Sequence, residues 1–271
     1  MIRTDEQIIS EFRKKVEIES QYTKWFSDSI IQKLYDYFCI DIKKQGWPTT
    51  LENPLEISLE FYQRAFPDYY RLIIEYINNK KVIIDSTSSF SHVNSNSGLT
   101  YIKPKNNDGD LYMFIHEFAH LIDVTSVPRI IDPQFWVFAE TFAFKMERHF
   151  ESSYFEEFKQ LHKIRNINRL YYERKMLEKI MIMLKYEQHY KKNGTIDGII
   201  DIKEARVIVD SQSNNLINTF LGYPIGNLLS CYLVENRITV DTDLCSFLSQ
   251  LDISQLLEDK DLESKVKRIS F

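Results

Sequence analysis

Apolar residues recur at helical spacing through the first eighty positions. Ile8, Ile9, Phe12 and Val16 fall on one face, and Trp25, Phe26, Ile30, Ile31, Leu34, Tyr35 and Phe38 carry the pattern on. The spacing predicts helix over about 5–45, ended by Gly46 and Pro48, and a second helical stretch over about 57–79, interrupted near Pro67. The texture changes at Lys81. KVIIDST is rich in β-branched residues and reads as a strand, SFSHVNSNSG as a turn region, and GLTYIKP (98–104) as a second strand halted at Pro104. NNDGD is a loop, and Asp110 is placed to cap the helix that follows.

Beyond that helix, Pro128 and Pro133 mark a break, and a second apolar helix is expected over about 134–150. From 152 to 192 the chain is charged and helical. Asn193-Gly194 turns it, and further helices are expected from about 201, 224 and 243. The pattern describes a single, mainly helical α+β domain over 1–271. It has an N-terminal helical part (1–80), a core (81–150) with a small β element, and a C-terminal helical part (151–271).

Composition narrows the function. An apolar fraction of 44% permits a sizeable core, and a net charge of −5 lacks the basic excess of a nucleic-acid binder. Cys39, Cys231 and Cys245 show no CxxC spacing, so neither a disulfide framework nor a thiolate metal site is expected. MIRTDEQIISEFRKK has no apolar run of signal-peptide length, and no window approaches the ~18 apolar residues of a membrane span. A cytoplasmic protein fits, or one secreted by a route that uses no signal peptide, with no membrane partner.

One apolar helix carries the chemistry. In 110-DLYMFIHEFAHLIDV-124, His116 and His120 are spaced i, i+4 and project from one helix face, so both imidazoles can reach one metal ion. Glu117 lies one residue round the helix, beside that position, where a water would sit. This is the HExxH arrangement, here HEFAH, of zinc peptidases. The flanking Phe114, Ile115, Phe118, Ala119, Leu121 and Ile122 make an unpartnered imidazole or carboxylate costly, and one bound Zn²⁺ per chain removes that cost.

A catalytic zinc takes three protein ligands and keeps one position open. The continuation HEFAHLIDVTS lacks the glycine and third histidine of the metzincins. The run 135-FWVFAETFAFKM-146 offers Glu140, twenty residues after His120, whose neighbours at one helical turn are Trp136, Val137, Ala143 and Phe144. A charge so surrounded reads as a ligand rather than as a wet stripe.

His116, Glu117, His120 and Glu140 resemble the signature of the gluzincins, the thermolysin-like clan of zinc metallopeptidases, over Leu111 to Met146. FAETFAF is also similar to the third-ligand helix of anthrax lethal factor and the Pro-Pro endopeptidases, whose spacing is longer. The resemblance implies a zincin-like core and peptide hydrolysis with Glu117 as general base. Phe144 stands where such enzymes often carry an acidic residue that holds a histidine, so Asp123 or Asp132 is expected to take that role. It also implies an oxyanion donor. The segment 222-GYPIGNLLSCYLVEN-236 resembles the one after the zinc site in thimet-type oligopeptidases, which points to Tyr223, with Tyr232 second and Gly222 and Gly226 permitting close approach of the backbone.

Other features are weaker. His149 and His189 read as solvated helix histidines, and His92 as a solvated turn residue. Strand 98–104 is either a core strand or an edge that pairs with an extended peptide along Leu99 to Ile102. The charge runs 145–159 and 257–268 read as solvated helix faces. The substrate is expected to be a peptide or protein. A narrow-specificity toxin or effector acting on one host protein, and a non-catalytic metal-binding module, are the alternatives.

Overall fold

A computed structural model describes residues 3–24, 26–84, 92–94, 99–126, 135–211 and 215–235. The fold is mainly helical with one small sheet. Helices α1 (Asp5–Glu19), α2 (Asp28–Phe38) and α3 (Pro54–Ala65) begin at Thr4, Ser27 and Asn53, whose side chains accept backbone N–H groups of the first turn. Thr4 and Gln7 form a reciprocal capping box. Pro67 starts α4 (Pro67–Asn78) rather than merely bending a longer helix, because its ring tolerates only the first turn.

Strands β1 (Val82–Ile84), β2 (His92–Asn94) and β3 (Leu99–Ile102) form a sheet in the order β1-β3-β2, with β3 parallel to β1 and antiparallel to β2. Part of SFSHVNSNSG, expected as turn, is therefore strand. Its backbone completes the ladder despite polar side chains, which short strands tolerate. The consequence is functional. Both sides of β3 are already paired, so Leu99 to Ile102 form a central strand and offer no edge for an added peptide.

Helices α5 (Asp110–Ser126), α6 (Phe135–Ser153), α7 (Phe155–Asn193), α8 (Ile202–Val209) and α9 (Leu216–Glu235) follow. Gly194 closes α7 with a left-handed φ of 72°, as its turn position predicts. Asp110 does not cap α5 forwards. Its carboxylate reaches back to accept the N–H groups of Lys105 and Asn107. The expected start near 224 is also displaced: α9 begins at Leu216 and runs through Gly222, Pro224 and Gly226. The expected helix from 243 lies outside the described residues, as do Cys245 and the run 257–268. No helix among the described residues is long and apolar enough to cross a membrane.

Two hydrophobic clusters meet at α6. Phe12, Leu34, Leu177, Ile208 and Leu221 belong to one, and Phe61, Tyr62, Ile115, Phe118 and Phe150 to the other. α6 gives Val137 and Phe138 to the first and Phe142, Ala143, Met146 and Phe150 to the second. Glu140 therefore sits on a helix buried on opposite faces. The pairing of α6 with α9 depends on Gly226. A Cβ there would stand 2.7 Å from Glu140 Cβ and 2.9 Å from Thr141 N. Gly226→Ala is expected to destabilise the fold by about 1–3 kcal/mol, read by denaturant unfolding, because two backbones must separate.

Candidate metal centre

Helices α5 and α6 pack against each other and bring His116, His120 and Glu140 together. One ligand atom from each lies within 4.8 Å of the others. His116 Nε2 and His120 Nε2 are 3.0 Å apart. Glu140 Oε2 lies 3.3 Å from His116 Nε2 and Oε1 lies 3.6 Å from His120 Nε2. These are long, mainly ionic contacts, and Oε2 is buried with no well-formed hydrogen bond. A buried, unpaired carboxylate oxygen costs about 1–3 kcal/mol, and a cation is the partner that removes the cost.

Glu147, seven residues and about two turns beyond Glu140 on α6, holds the first histidine. His116 Nδ1 donates to Glu147 Oε1 over 2.8 Å. Burial pushes the Glu147 carboxyl up, but Arg165 and Arg169 overcome it and hold the group well below the usual carboxylate range. Arg165 Nε donates to Glu147 Oε2 over 2.6 Å and Arg169 Nη2 to the same oxygen over 3.0 Å. An ionised carboxylate only accepts, so Nδ1 of His116 carries a proton whether or not metal is bound, and Nε2 is the atom that turns a lone pair to the cluster once its own proton is displaced. That is the tautomer and orientation a metal ligand needs. The second-sphere role expected of Asp123 or Asp132 is thus filled at His116 by Glu147. Asp132 lies outside the described residues, and Asp123 is a buried carboxyl that burial raises to about 6.

The charge run at 145–159 is a solvated face only in its second half, where Ser152, Ser153, Glu156, Glu157 and Lys159 are exposed. Lys145, Glu147, Arg148 and Phe150 are buried. Arg148 donates to Ser230 Oγ over 2.9 Å and to Asn227 Oδ1, and Asn227 Nδ2 donates to Glu173 Oε2 over 3.0 Å, which ties α6, α7 and α9 together. Sequence reasoning missed Glu147, Arg165 and Arg169. The available signal was the i, i+7 spacing of Glu140 and Glu147 on a helix that is otherwise apolar toward its centre.

Glu117 is outside the ligand cluster. With His116 and Tyr223 it lines a cleft of about 530 Å³. Burial pushes its carboxyl up to about 7; His116 opposes this, and Glu140 and Glu147 add to it. Tyr223, from α9, lies against Glu140, and that carboxylate, burial and Glu117 together push the phenol well above its usual value. Tyr232 packs into the first hydrophobic cluster instead and does not line the cleft. His149 is half-buried, edge-on to Phe66 at 5.5 Å, rather than solvated. His189 lies near the far end of α7, where its carbonyl accepts from Asn193.

The two cluster histidines titrate oppositely. Burial lowers both, but hydrogen bonds and charge from Glu140 and Glu147 raise His116 to about 10, whereas His120 falls to about 4. At neutral pH the metal-free cluster holds one proton, on His116 Nε2. A metal must displace it, so apparent affinity is expected to rise about tenfold per pH unit between pH 5.5 and 7.5. Competition with a chromogenic chelator reads this slope, and a flat response would place the metal elsewhere.

The arrangement is two imidazole nitrogens and one carboxylate converging on a point, with an unused carboxyl and a phenol beside it. No known family model, curated protein or solved structure matches this chain.

Proposed function

We propose that the chain is a zinc-dependent metallopeptidase of the gluzincin type, with α5, α6 and the preceding sheet as a zincin-like core. The observation that carries the reading is the convergence of His116, His120 and Glu140 within 4.8 Å while Glu117 stays outside the set and faces the cleft. The N,N,O donor set fits zinc, and the orphaned Glu140 oxygen fits a cation. Zinc held there supplies a Lewis acid that polarises a carbonyl and makes water acidic near pH 7.

The chain's own residues do the rest. Glu117, with its pKa near 7, takes the proton from the attacking water and passes it to the leaving amine. Tyr223 keeps its proton at all working pH values and donates to the oxyanion as the carbonyl becomes tetrahedral. Glu147 keeps His116 in the ligating tautomer. The substrate enters by the cleft, because β3 has no free edge.

The test is hydrolysis of internally quenched peptides by the zinc-reconstituted chain. Cleavage is expected, abolished by a chelator and restored by zinc. A zinc-loaded chain that cuts neither short peptides nor denatured protein would end this reading.

A further inference from the structure

The cleft that reaches Glu117 is basic at its mouth, although the chain as a whole carries a net charge of −5. Its lining joins His116, Glu117 and Tyr223 to Lys44, Trp47, Lys105 and Tyr172. Arg165 also lines it and reaches His116 through Glu147. Lys44 and Lys105 are exposed, and neither meets a carboxylate among the described residues. The Lys44 ammonium lies 5.2 Å over the Tyr172 ring, and a hydrogen bond to that tyrosine raises its pKa. Arg165 uses Nε and Nη2 on Glu147, and its Nη1 has no partner among the described residues.

Besides Glu117, the lining holds two carboxyl groups, Asp110 and Glu173. Asp110 accepts the Lys105 N–H with both oxygens, at 2.8 and 3.0 Å, and the Asn107 N–H besides. Glu173 is pushed by burial to about 8, against the pull of Asn227 and Arg169, so its carboxyl is mostly uncharged at neutral pH. Deep in the same wall, the Arg169 Nε donor is buried without a partner. A cleft edged by lysines that meet no carboxylate attracts anions.

The mouth is a built wall. Lys44 and Trp47 lie on the segment between α2 and α3. That segment is pinned to α7 by Gln45 N–H to Asn168 Oδ1 at 2.7 Å and by Asn168 Nδ2 to Gln45 O at 3.1 Å. Asp108 N–H donates to Pro48 O at 2.9 Å. Trp47 lies flat against Gly109, where a Cβ would come within 2.7 Å of the indole. The aromatic faces of Trp47 and Tyr172 suit a peptide's apolar atoms, and the lysines suit a single negative group.

We infer that the cleft binds a substrate carboxylate, so that the preferred substrate is a peptide with an acidic side chain or a free C-terminus near the cleaved bond. This rests on the proposed peptidase reading, but binding can be measured without it. The probes are Ala/Gly octapeptides bearing an uncharged dye and one Asp, Asn or Lys at each position in turn. Each is made with a free and with an amidated C-terminus. They are titrated by anisotropy against the zinc-loaded Glu117→Gln chain.

In one register the Asp peptide is expected to bind roughly tenfold tighter than Asn, with Lys weakest. The gap is expected to close in about 1 M salt, where the screening length is roughly 3 Å. In Lys44→Glu/Lys105→Glu on the same background the order of Asp and Lys reverses. If tight binding follows the free C-terminus and not the Asp, the terminal carboxylate is the ligand; both results support the inference. Equal binding of Asp, Asn and Lys peptides with either terminus, or no binding at all, overturns it, and the octapeptide series alone decides should the double variant fail to fold. Hydrolysis of the same peptides by the wild-type chain is read separately. Charge-selective binding without cleavage overturns the peptidase and keeps the cleft; cleavage without charge preference does the reverse.

Discussion

Replacing Glu117 with glutamine is expected to leave the metal in place and to lower kcat/KM for peptide hydrolysis by about 10²–10⁴-fold. The substitution changes one oxygen to an amide nitrogen and preserves shape. It does not touch the ligand set of His116, His120 and Glu140. What it removes is a proton acceptor in a position where burial raises its pKa to about 7, close enough to neutrality to take a proton and then give it up. The same value sets the sign of the pH response. Below pH 7 the carboxyl is increasingly protonated and cannot act as base, so the wild-type rate rises through that range. Metal content and steady-state hydrolysis, measured on the same sample, check both statements. Undiminished hydrolysis in the glutamine variant would remove Glu117 from the mechanism.

Glu147→Ala is expected to be the most disruptive single change at the site. Glu147 is fully buried and accepts from His116, Arg165 and Arg169 at once. Deleting it strands the Arg165 guanidinium and leaves Arg169 with Glu151 alone, and breaking a buried ion pair from one side costs about 3–5 kcal/mol. The second effect is on the metal. With no acceptor at Nδ1, His116 loses its fixed tautomer and orientation, and affinity is expected to fall about 10–100-fold. Denaturant unfolding reads the first and chelator competition the second. A less stable protein with unaltered metal affinity would make Glu147 a structural residue only. Glu147→Gln should lie between, because an amide oxygen still accepts from one donor but carries no charge to balance Arg169.

Much of the candidate site is legible in the sequence, and the reason is local. HEFAH and the isolated charge of FAETFAF are patterns within single helices, where i, i+4 spacing fixes a shared face before any tertiary contact forms. The structure brings those side chains to within 4.8 Å of one another. Glu147 is far harder to read, its spacing of seven from Glu140 being the one local signal. In KMERHFESSYFEEFK it looks like one of many surface charges, and only Arg165 and Arg169, 18 and 22 residues later on another helix, make its burial tolerable. Pairing across helices has no period to read.

The fold divides in the same way. Apolar stripes behind capping residues do form helices, α1 behind Thr4 and α2 behind Ser27, but the stretch expected over about 5–45 is divided between Glu19 and Asp28 and ends at Phe38. β2 does not show in the pattern, because His92–Asn94 join the sheet through backbone hydrogen bonds that their polar composition conceals. Its presence turns β3 from a possible peptide edge into a central strand. α9 defies its own propensities. Gly222, Pro224 and Gly226 argue for a break, yet packing against α6 keeps the helix continuous, and the bare Cα of Gly226 is what lets it approach Glu140. The residues that weaken the helix locally are those that place Tyr223 at the site.

The most direct test is the metal content of the purified chain, wild type beside His120→Ala. About one zinc per wild-type chain, absent from the variant while the variant stays folded, is the predicted result. A folded wild-type chain that takes up no zinc when the metal is supplied would contradict the metal centre and with it the proposed hydrolysis.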